Sequence, residues 1–184
     1  MWLDAPIPLS THPGRDAPLP VIIDIEASGF GKGSYPIEIG YYTPEGEAFC
    51  TLIRPESNWT HWDDSAEKVH GIQRELLEAK GKPALEVCLE LNRRLRGRRV
   101  FCDAWAYDYV WLSVMYDAAE LVPTFQLKDM RDLLSDCEQR LWHATRAAVE
   151  ARLQLRRHRA SGDARTLLET LTEVLKSCAP DWNP

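Results

Sequence analysis

The sequence predicts an α/β fold in which helices lie on the faces of a mixed β-sheet. Three apolar segments, at 20–27, 37–42 and 48–53, are separated by short turns rich in glycine or proline, as in an antiparallel meander. Helical patterns then alternate with two further strand-like segments, at 98–102 and 124–127. A meander followed by right-handed crossovers gives a mixed sheet flanked by helices.

The first strand is strongly apolar but carries two acids. Four of the five residues from Val21 to Ile25 are branched aliphatics, which favour a buried strand. Asp24 and Glu26 are two residues apart, so their side chains point to the same face. Burying two ionised carboxylates side by side is costly, and a cation at that face would remove the cost. The strand alone leaves a second interpretation open, in which both acids are simply hydrated at the sheet edge.

The helices are predicted from their starts, stops and apolar spacing. Residues 63–65 offer three candidate caps for a short helix, which Gly71 ends. Pro83 suits the first turn of a longer helix with leucines at roughly helical spacing. Further helices are predicted at about 74–79, 109–119, 129–156 and 162–176.

Length and composition indicate one domain. The chain has 184 residues, 45% of them hydrophobic, which is enough for a core over residues 20–180. Residues 1–19 contain several prolines and are predicted to form an extended N-terminal tail. The net charge of -6 excludes a protein that coats nucleic acid by charge alone.

The number of cysteines and the length of the apolar runs indicate the cellular compartment in which the protein is expected. Five cysteines form an odd set without a CxxC pair, so neither a disulfide framework nor a zinc cluster is expected, and a reducing cytoplasm is predicted. No apolar run is long enough to span a membrane, and the N-terminus lacks the pattern of a signal peptide, so no membrane partner is expected.

Three later residues extend the pattern of the first strand. Asp108 follows the 98–102 segment, and a parallel strand there would bring it to the sheet edge that carries Asp24. His158 and Asp163 are five residues apart, which favours a loop position for the histidine and a helix start for the acid. Each also has an ordinary interpretation: a helix-terminus acid for Asp108, a helix cap for Asp163, and a solvated side chain among arginines for His158.

Taken in order, these motifs resemble the DEDDh 3′–5′ exonuclease family, which includes the proofreading subunit of the bacterial replicative polymerase, ribonuclease T and oligoribonuclease. The resemblance spans roughly residues 20–176. The matching pieces are Asp24-Ile25-Glu26 with Gly29, Glu38-Ile39-Gly40, Val69-His70-Gly71-Ile72, Tyr107-Asp108, and the segment from His158-Arg159-Ala160 to Asp163-Ala164.

The resemblance implies a ribonuclease-H-like fold with a five-stranded mixed sheet flanked by helices. It implies hydrolysis at the 3′ end of single-stranded RNA or DNA with release of nucleoside 5′-monophosphates, by a two-metal mechanism with His158 as general base. All-oxygen ligands favour Mg²⁺ or Mn²⁺ over zinc. The implied ligands of the two ions, which also count as catalytic residues, are Asp24, Glu26, Asp108 and Asp163.

The chain departs from the family at one position. Cys102-Asp103 stands where the family usually has Asn, often preceded by His, so a second acid competes for the role of Asp108. Asp108 is the preferred ligand because Tyr107-Asp108 keeps the family's pair of an aromatic residue and an acid. Asp103 is then interpreted as a helix cap or as a hydrogen-bond acceptor near the site.

Substrate contacts are expected next to the first strand. The candidate substrate-binding residues are Ser28, Gly29, Phe30 and His70. Phe30 is the first candidate for stacking on the terminal base, with Trp62 and Trp105 as weaker ones, whereas Trp111 is predicted to be core.

Two arginine clusters are interpreted differently. The first, close to His158, could attract the phosphate backbone and contains Arg152, Arg156, Arg157 and Arg159. The second is preferably read as a solvated helix end and contains Arg93, Arg94, Arg96, Arg98 and Arg99.

Several alternatives stay open at this stage. One is a non-catalytic nucleic-acid-binding or polymerase-binding module that keeps the fold without the reaction. The sequence does not decide between DNA and RNA, because that choice depends on contacts to the 2′-hydroxyl group. A homodimer and a polymerase partner also remain open.

Overall fold

A computed structural model describes residues 18–155 and 157–178 of the chain. The strands are β1 (Val21–Ala27), β2 (Pro36–Tyr42), β3 (Ala48–Leu52), β4 (Arg99–Cys102) and β5 (Gln126–Asp129). The helices are α1 (Asp64–His70), α2 (Arg74–Lys80), α3 (Ala84–Leu95), α4 (Trp105–Ala118), α5 (Asp136–Leu153) and α6 (Ala160–Cys178), with a 3₁₀ turn at Met130–Leu133. The predicted N-terminal tail lies almost entirely outside the described residues, as does Arg156.

The five strands form one mixed sheet in the order β3-β2-β1-β4-β5. The first three strands are antiparallel neighbours, whereas β4 is parallel to β1 and β5 is parallel to β4. The predicted α/β fold with a five-stranded mixed sheet is therefore confirmed. The carboxyl ends of β1, β4 and β5 share one edge, which is where ligands bind in sheets of this kind.

The two faces of β1 serve different cores. Val21, Ile23 and Ile25 point to the larger core, which they share with buried side chains of α3 and α4. Ile22 points to the other face, where it packs with the leucines of α6. Because side chains alternate along a strand, Asp24 and Glu26 lie on the face of Ile22, under α6.

Several element boundaries differ from those predicted. Helix α4 begins at Trp105 rather than near residue 109, so Asp108 lies in its first turn. The predicted helix over 129–156 is divided: a 3₁₀ turn comes first, and α5 starts after Ser135, whose capping box with Glu138 fixes the helix start. β5 lies two residues later than predicted, and α6 begins two residues earlier, at Ala160.

The structure corrects the expectation about cysteines, because Cys137 and Cys178 form a disulfide bond. Cys137 lies in the first turn of α5, and Cys178 is the last residue of α6. The two helices are antiparallel, so the start of one meets the end of the other, a proximity that cysteine spacing cannot reveal. The remaining cysteines, Cys50, Cys88 and Cys102, are free.

Within 18–155 and 157–178, no helix combines the length and the apolar character that crossing a membrane requires.

Replacing Cys137 with serine should lower the free energy of unfolding by about 2–4 kcal/mol, because the bond closes a loop between cysteines 41 positions apart. Thermal unfolding without reductant should show a Tm lower by roughly 5–10 °C. Cys50→Ser, which removes an exposed free thiol, is the matched control and should leave Tm unchanged. An equal Tm for C137S and the unmodified protein would show that the bond does not form.

Candidate active site

The two acids of β1 are half-buried beneath α6. Burial raises the pKa of Asp24 well above its usual value, and the charges of Asp108 and Glu26 raise it further. The pKa of Glu26 is raised to about 7, first by burial and then by the charge of Asp163. Both acids therefore lie where a negative charge is disfavoured unless a cation accompanies it.

Asp108 is the most enclosed of the site acids, with 1% of its surface exposed. Burial is the largest cause that raises its pKa to about 8, although a hydrogen bond with the Cys102 thiol lowers it in part. Its Oδ2 atom is buried and has no hydrogen-bond partner among the residues that the structure describes. Buried polar atoms are nearly always paired, so this oxygen is a candidate ligand atom for a cation.

Asp103, the competing acid, is already engaged. Its Oδ2 accepts a hydrogen bond of 2.9 Å from the Arg146 guanidinium, which also contacts Glu150. It does not cap α4, whose first flanking residue is Ala104. Asp103 is thus a hydrogen-bond acceptor beside the site, whereas Asp108 keeps the free buried oxygen.

The loop between α5 and α6 brings the last two residues to β1. His158 lies in this loop with φ 57°, and Asp163 lies in the first turn of α6. Glu26, His158 and Asp163 each present one ligand-type atom, and these atoms all lie within 4.8 Å of one another. Burial raises the pKa of Asp163, while the neighbouring His158 is the main influence that lowers it.

The structure therefore gathers all five predicted catalytic residues at one edge of the sheet. β1 provides two acids, α4 provides Asp108, and the loop and first turn of α6 provide His158 and Asp163. The donor set consists of carboxylate oxygens with one imidazole, which suits a hard divalent cation such as Mg²⁺ or Mn²⁺. A cation there would remove the mutual repulsion and provide a partner for the unpaired oxygen.

Two of the predicted substrate contacts are buried. Ser28 is 1% exposed, and its Oγ accepts the backbone N–H of Tyr35. His70 is 3% exposed, and its Nδ1 accepts the backbone N–H of Ile72. The side chains of Ser28 and His70 thus support the walls of the site and offer little surface to a substrate.

Gly29 and Phe30 form the turn that follows β1. Gly29 has φ 138°, and a Cβ atom there would lie 2.6 Å from the Cβ of Asp63, so only glycine fits. Phe30 is 63% exposed, with its ring 5.0 Å from that of Tyr107 and 5.8 Å from that of Trp111. Trp111 is buried, as predicted.

Tyr107 is an exposed aromatic residue that the sequence did not indicate as a substrate contact. It lies next to Asp108 and packs edge-on against Phe30, so the two rings form one apolar surface beside the acids. The motif Tyr107-Asp108 carried a signal for it, because the backbone of Tyr107 adjoins that of a candidate site acid.

The arginines near His158 are occupied by acids of the protein. Arg152 contacts Glu169 and Glu173, and Arg157 lies 3.9 Å from Glu150. In the second cluster, Arg93 and Arg94 both pair with Glu90 on the exposed surface of α3, as expected for a solvated helix end.

Comparison with known proteins finds similarity at the level of structure alone. No protein-family model matches the sequence, and no curated protein matches it. The fold is similar to that of exonuclease I. A zinc-bound E. coli exonuclease I complex with single-stranded DNA superimposes with a TM-score of 0.63 at 13% identity, over 88% of this chain and 41% of that one.

Two further structures agree. E. coli exonuclease I with a dA16 oligonucleotide gives a TM-score of 0.64 at 13% identity, over 87% of this chain and 41% of that one. The moderately thermophilic exonuclease I of Methylocaldum szegediense gives a TM-score of 0.61 at 15% identity, over 88% of this chain and 41% of that one. The chain thus spans about two-fifths of the length of these proteins. At such identities the likeness establishes the fold, which is the ribonuclease-H-like α/β fold that the motifs implied.

Metal-free protein should lose stability as the pH rises from about 5 to 8. Folded Asp108 and Glu26 keep their protons up to about pH 8 and 7, whereas carboxyls in the unfolded chain lose theirs near pH 4. The folded state binds more protons in this window, so its stability decreases as pH rises, by at most about 1.4 kcal/mol per pH unit for each group.

Asp108→Asn should flatten that decrease in metal-free Tm and should reduce the rise in Tm that Mn²⁺ produces in the unmodified protein. Asp117→Asn, which changes an exposed acid of the same helix, should keep the original behaviour. Thermal unfolding from pH 5 to 8 with a chelator measures the first effect, and thermal unfolding with Mn²⁺ in place of the chelator measures the second. Identical pH profiles for D108N and the unmodified protein would contradict the assignment.

Proposed function

We propose that this protein is a metal-dependent 3′–5′ exonuclease that hydrolyses phosphodiester bonds at the 3′ end of single-stranded RNA or DNA and releases nucleoside 5′-monophosphates. The observation that carries the proposal is the convergence of Asp24, Glu26, Asp108 and Asp163 around a buried oxygen of Asp108 that has no hydrogen-bond partner within 18–155 and 157–178. The fold supports it, because similar structures include exonuclease I bound to single-stranded oligonucleotides.

In this proposal the four carboxylates hold two divalent ions, Mg²⁺ or Mn²⁺. When bound, the ions supply positive charge that stabilises the negative charge developing on the phosphate oxygens. The protein holds the ligands in place through three separate elements, so a substrate phosphate would meet a preformed site. Asp103 keeps Arg146 beside the site and is not among the ligands.

His158 is the proposed general base. It lies in a loop rather than in a helix, and its ring is within 4.8 Å of ligand atoms of Glu26 and Asp163. A neutral imidazole can accept a proton from the attacking water. Its backbone is in the left-handed conformation, two residues before α6 begins.

Phe30 and Tyr107 are the proposed contacts for the terminal base. Both rings are exposed and pack against each other, and in the chain Phe30 lies four residues after Glu26 and Tyr107 directly before Asp108. An aromatic face accepts any base, which fits an enzyme that acts on ends rather than on sequences. Gly29 lets Asp63 and His61 pack against the turn that carries Phe30, and the buried Ser28 and His70 hold the surrounding walls.

We further propose that residues 20–180 form the exonuclease domain and that the protein acts in the cytoplasm. Because Arg152, Arg157 and Arg159, near His158, pair with acids of the protein, recognition at the site is expected to depend on stacking and on the metal site rather than on a basic surface.

Incubation with a 5′-labelled single-stranded oligonucleotide and Mg²⁺ or Mn²⁺ should give a ladder of shortened, labelled products. His158→Ala should lower kcat by about 10²–10⁴-fold, because proton transfer by a positioned side chain contributes that much. His143→Ala, which removes a histidine of α5, is the control and should keep full activity. Matched RNA and DNA oligonucleotides in the same assay identify the preferred sugar.

Binding of the oligonucleotide without shortening in either ion would contradict the enzymatic proposal and favour the non-catalytic binding module. If H158A kept the unmodified kcat at neutral pH, the role of His158 as general base would be wrong.

Phe30→Ala should raise KM by roughly 5- to 100-fold with little change in kcat, because stacking on one base is worth about 1–3 kcal/mol. Steady-state kinetics on a single-stranded oligonucleotide measure the two constants. Leu89→Ala, which truncates a similarly exposed side chain on α3, should change neither. An unchanged KM for F30A would remove Phe30 from the substrate site.

A further inference from the structure

Glu38 of β2 is a fully buried carboxylate outside the proposed metal site. It is 0% exposed and is the direct cross-strand partner of Glu26, so both side chains lie on the face covered by α6. Burying a charge of this kind is strongly unfavourable without a partner. The loop that carries His158 provides a partner for the Glu38 carboxylate.

Arg159, the residue after His158, is that partner. Its Nε lies 3.0 Å from both carboxylate oxygens of Glu38, and its terminal nitrogen makes a further hydrogen bond to one of them. The backbone N–H of Ala160 donates a fourth hydrogen bond, of 2.9 Å, to the same carboxylate. Glu38 is thus saturated by donors from the loop and has no oxygen left for a metal ion.

Gly40, two residues further along β2, allows the start of α6 to approach. A Cβ atom at Gly40 would lie 2.5 Å from the backbone nitrogen of Ser161 and 2.9 Å from the carbonyl carbon of Ala160. Real Cβ atoms are not found so close to backbone, so any larger residue would push the helix start away from the sheet.

Glu38 and Gly40 contact residues 159–161, which lie between His158 and Asp163 in the chain. The carbonyl oxygen of Arg159 accepts the backbone N–H groups of Gly162 and Asp163, at 2.8 and 3.0 Å. The backbone of Asp163 is therefore set by Arg159, and Arg159 is set by Glu38. His158 precedes Arg159 directly, so the same anchor limits where its ring can lie.

We propose that Glu38 and Gly40 are positioning residues that seat the loop and first turn of α6, so that His158 and Asp163 reach Glu26. This inference rests on the proposed function, because it concerns how the same site is assembled. Neither residue touches substrate or ions; each acts through the backbone of Arg159 to Ser161.

Glu38→Gln tests the anchor, because an amide retains the shape but loses the charge that holds Arg159. Calorimetry should show Mn²⁺ affinity lower by about 10- to 100-fold, the usual effect of losing a group that orients metal ligands. On a single-stranded oligonucleotide, kcat should fall by a similar factor, while KM changes less than about threefold.

Arg159→Lys is the second variant and keeps a positive charge at a partly exposed position, so it should fold even if E38Q does not. Lysine cannot form the bidentate contact that the guanidinium makes with Glu38. R159K should therefore lower Mn²⁺ affinity by less than E38Q does, about 3- to 10-fold. Gly40→Ala displaces the helix start without changing any charge and should also weaken Mn²⁺ binding.

Glu169→Gln is the matched control, because it breaks ion pairs of the same two helices away from the loop. It should leave both Mn²⁺ affinity and kcat unchanged. If R159K and folded E38Q keep Mn²⁺ affinity and kcat within about twofold of the unmodified protein, the positioning role is overturned. If the unmodified protein neither binds Mn²⁺ nor shortens the oligonucleotide, the proposed function fails, and this inference fails with it.

Discussion

The packing of like-charged carboxylates against one another at one sheet edge is the constraint on which the site depends. Asp24 lies among Asp108, Glu26, Asp103 and Asp163, and burial adds to the repulsion that these charges create. Such an arrangement lowers the stability of the folded chain unless protons or cations neutralise it. The proposed cation site accounts for its presence in an otherwise well-packed core.

The fold offsets this cost with two apolar cores on opposite faces of the same strand. The larger core surrounds Ile23 and Ile25, and the smaller one joins Ile22 to the leucines of α6. α6 covers the face that carries the acids, and Asp163 lies in its first turn. The apolar packing of this helix on the sheet therefore also brings the Asp163 carboxylate to the other acids.

The sequence predicted the mixed sheet and the candidate site residues that the structure brings together, but not the contacts that hold them. Asp24 and Glu26 could be recognised from the sequence because charged residues are unusual within an apolar strand. The pair of Glu38 and Arg159 was not, because 121 positions separate them and no local pattern links them. The disulfide of Cys137 and Cys178 was missed for the same reason, since it depends on how α5 and α6 pack. The start of α5 differs from the predicted one because the capping box of Ser135 and Glu138 fixes it.

The claim that the four carboxylates form a site for divalent cations is tested most directly by manganese-specific anomalous diffraction from a crystal soaked in Mn²⁺. The account predicts anomalous peaks in contact with Asp24, Glu26, Asp108 and Asp163, one of them beside the unpaired oxygen of Asp108. A crystal that is saturated with Mn²⁺ at neutral pH and shows no peak at these carboxylates would contradict it.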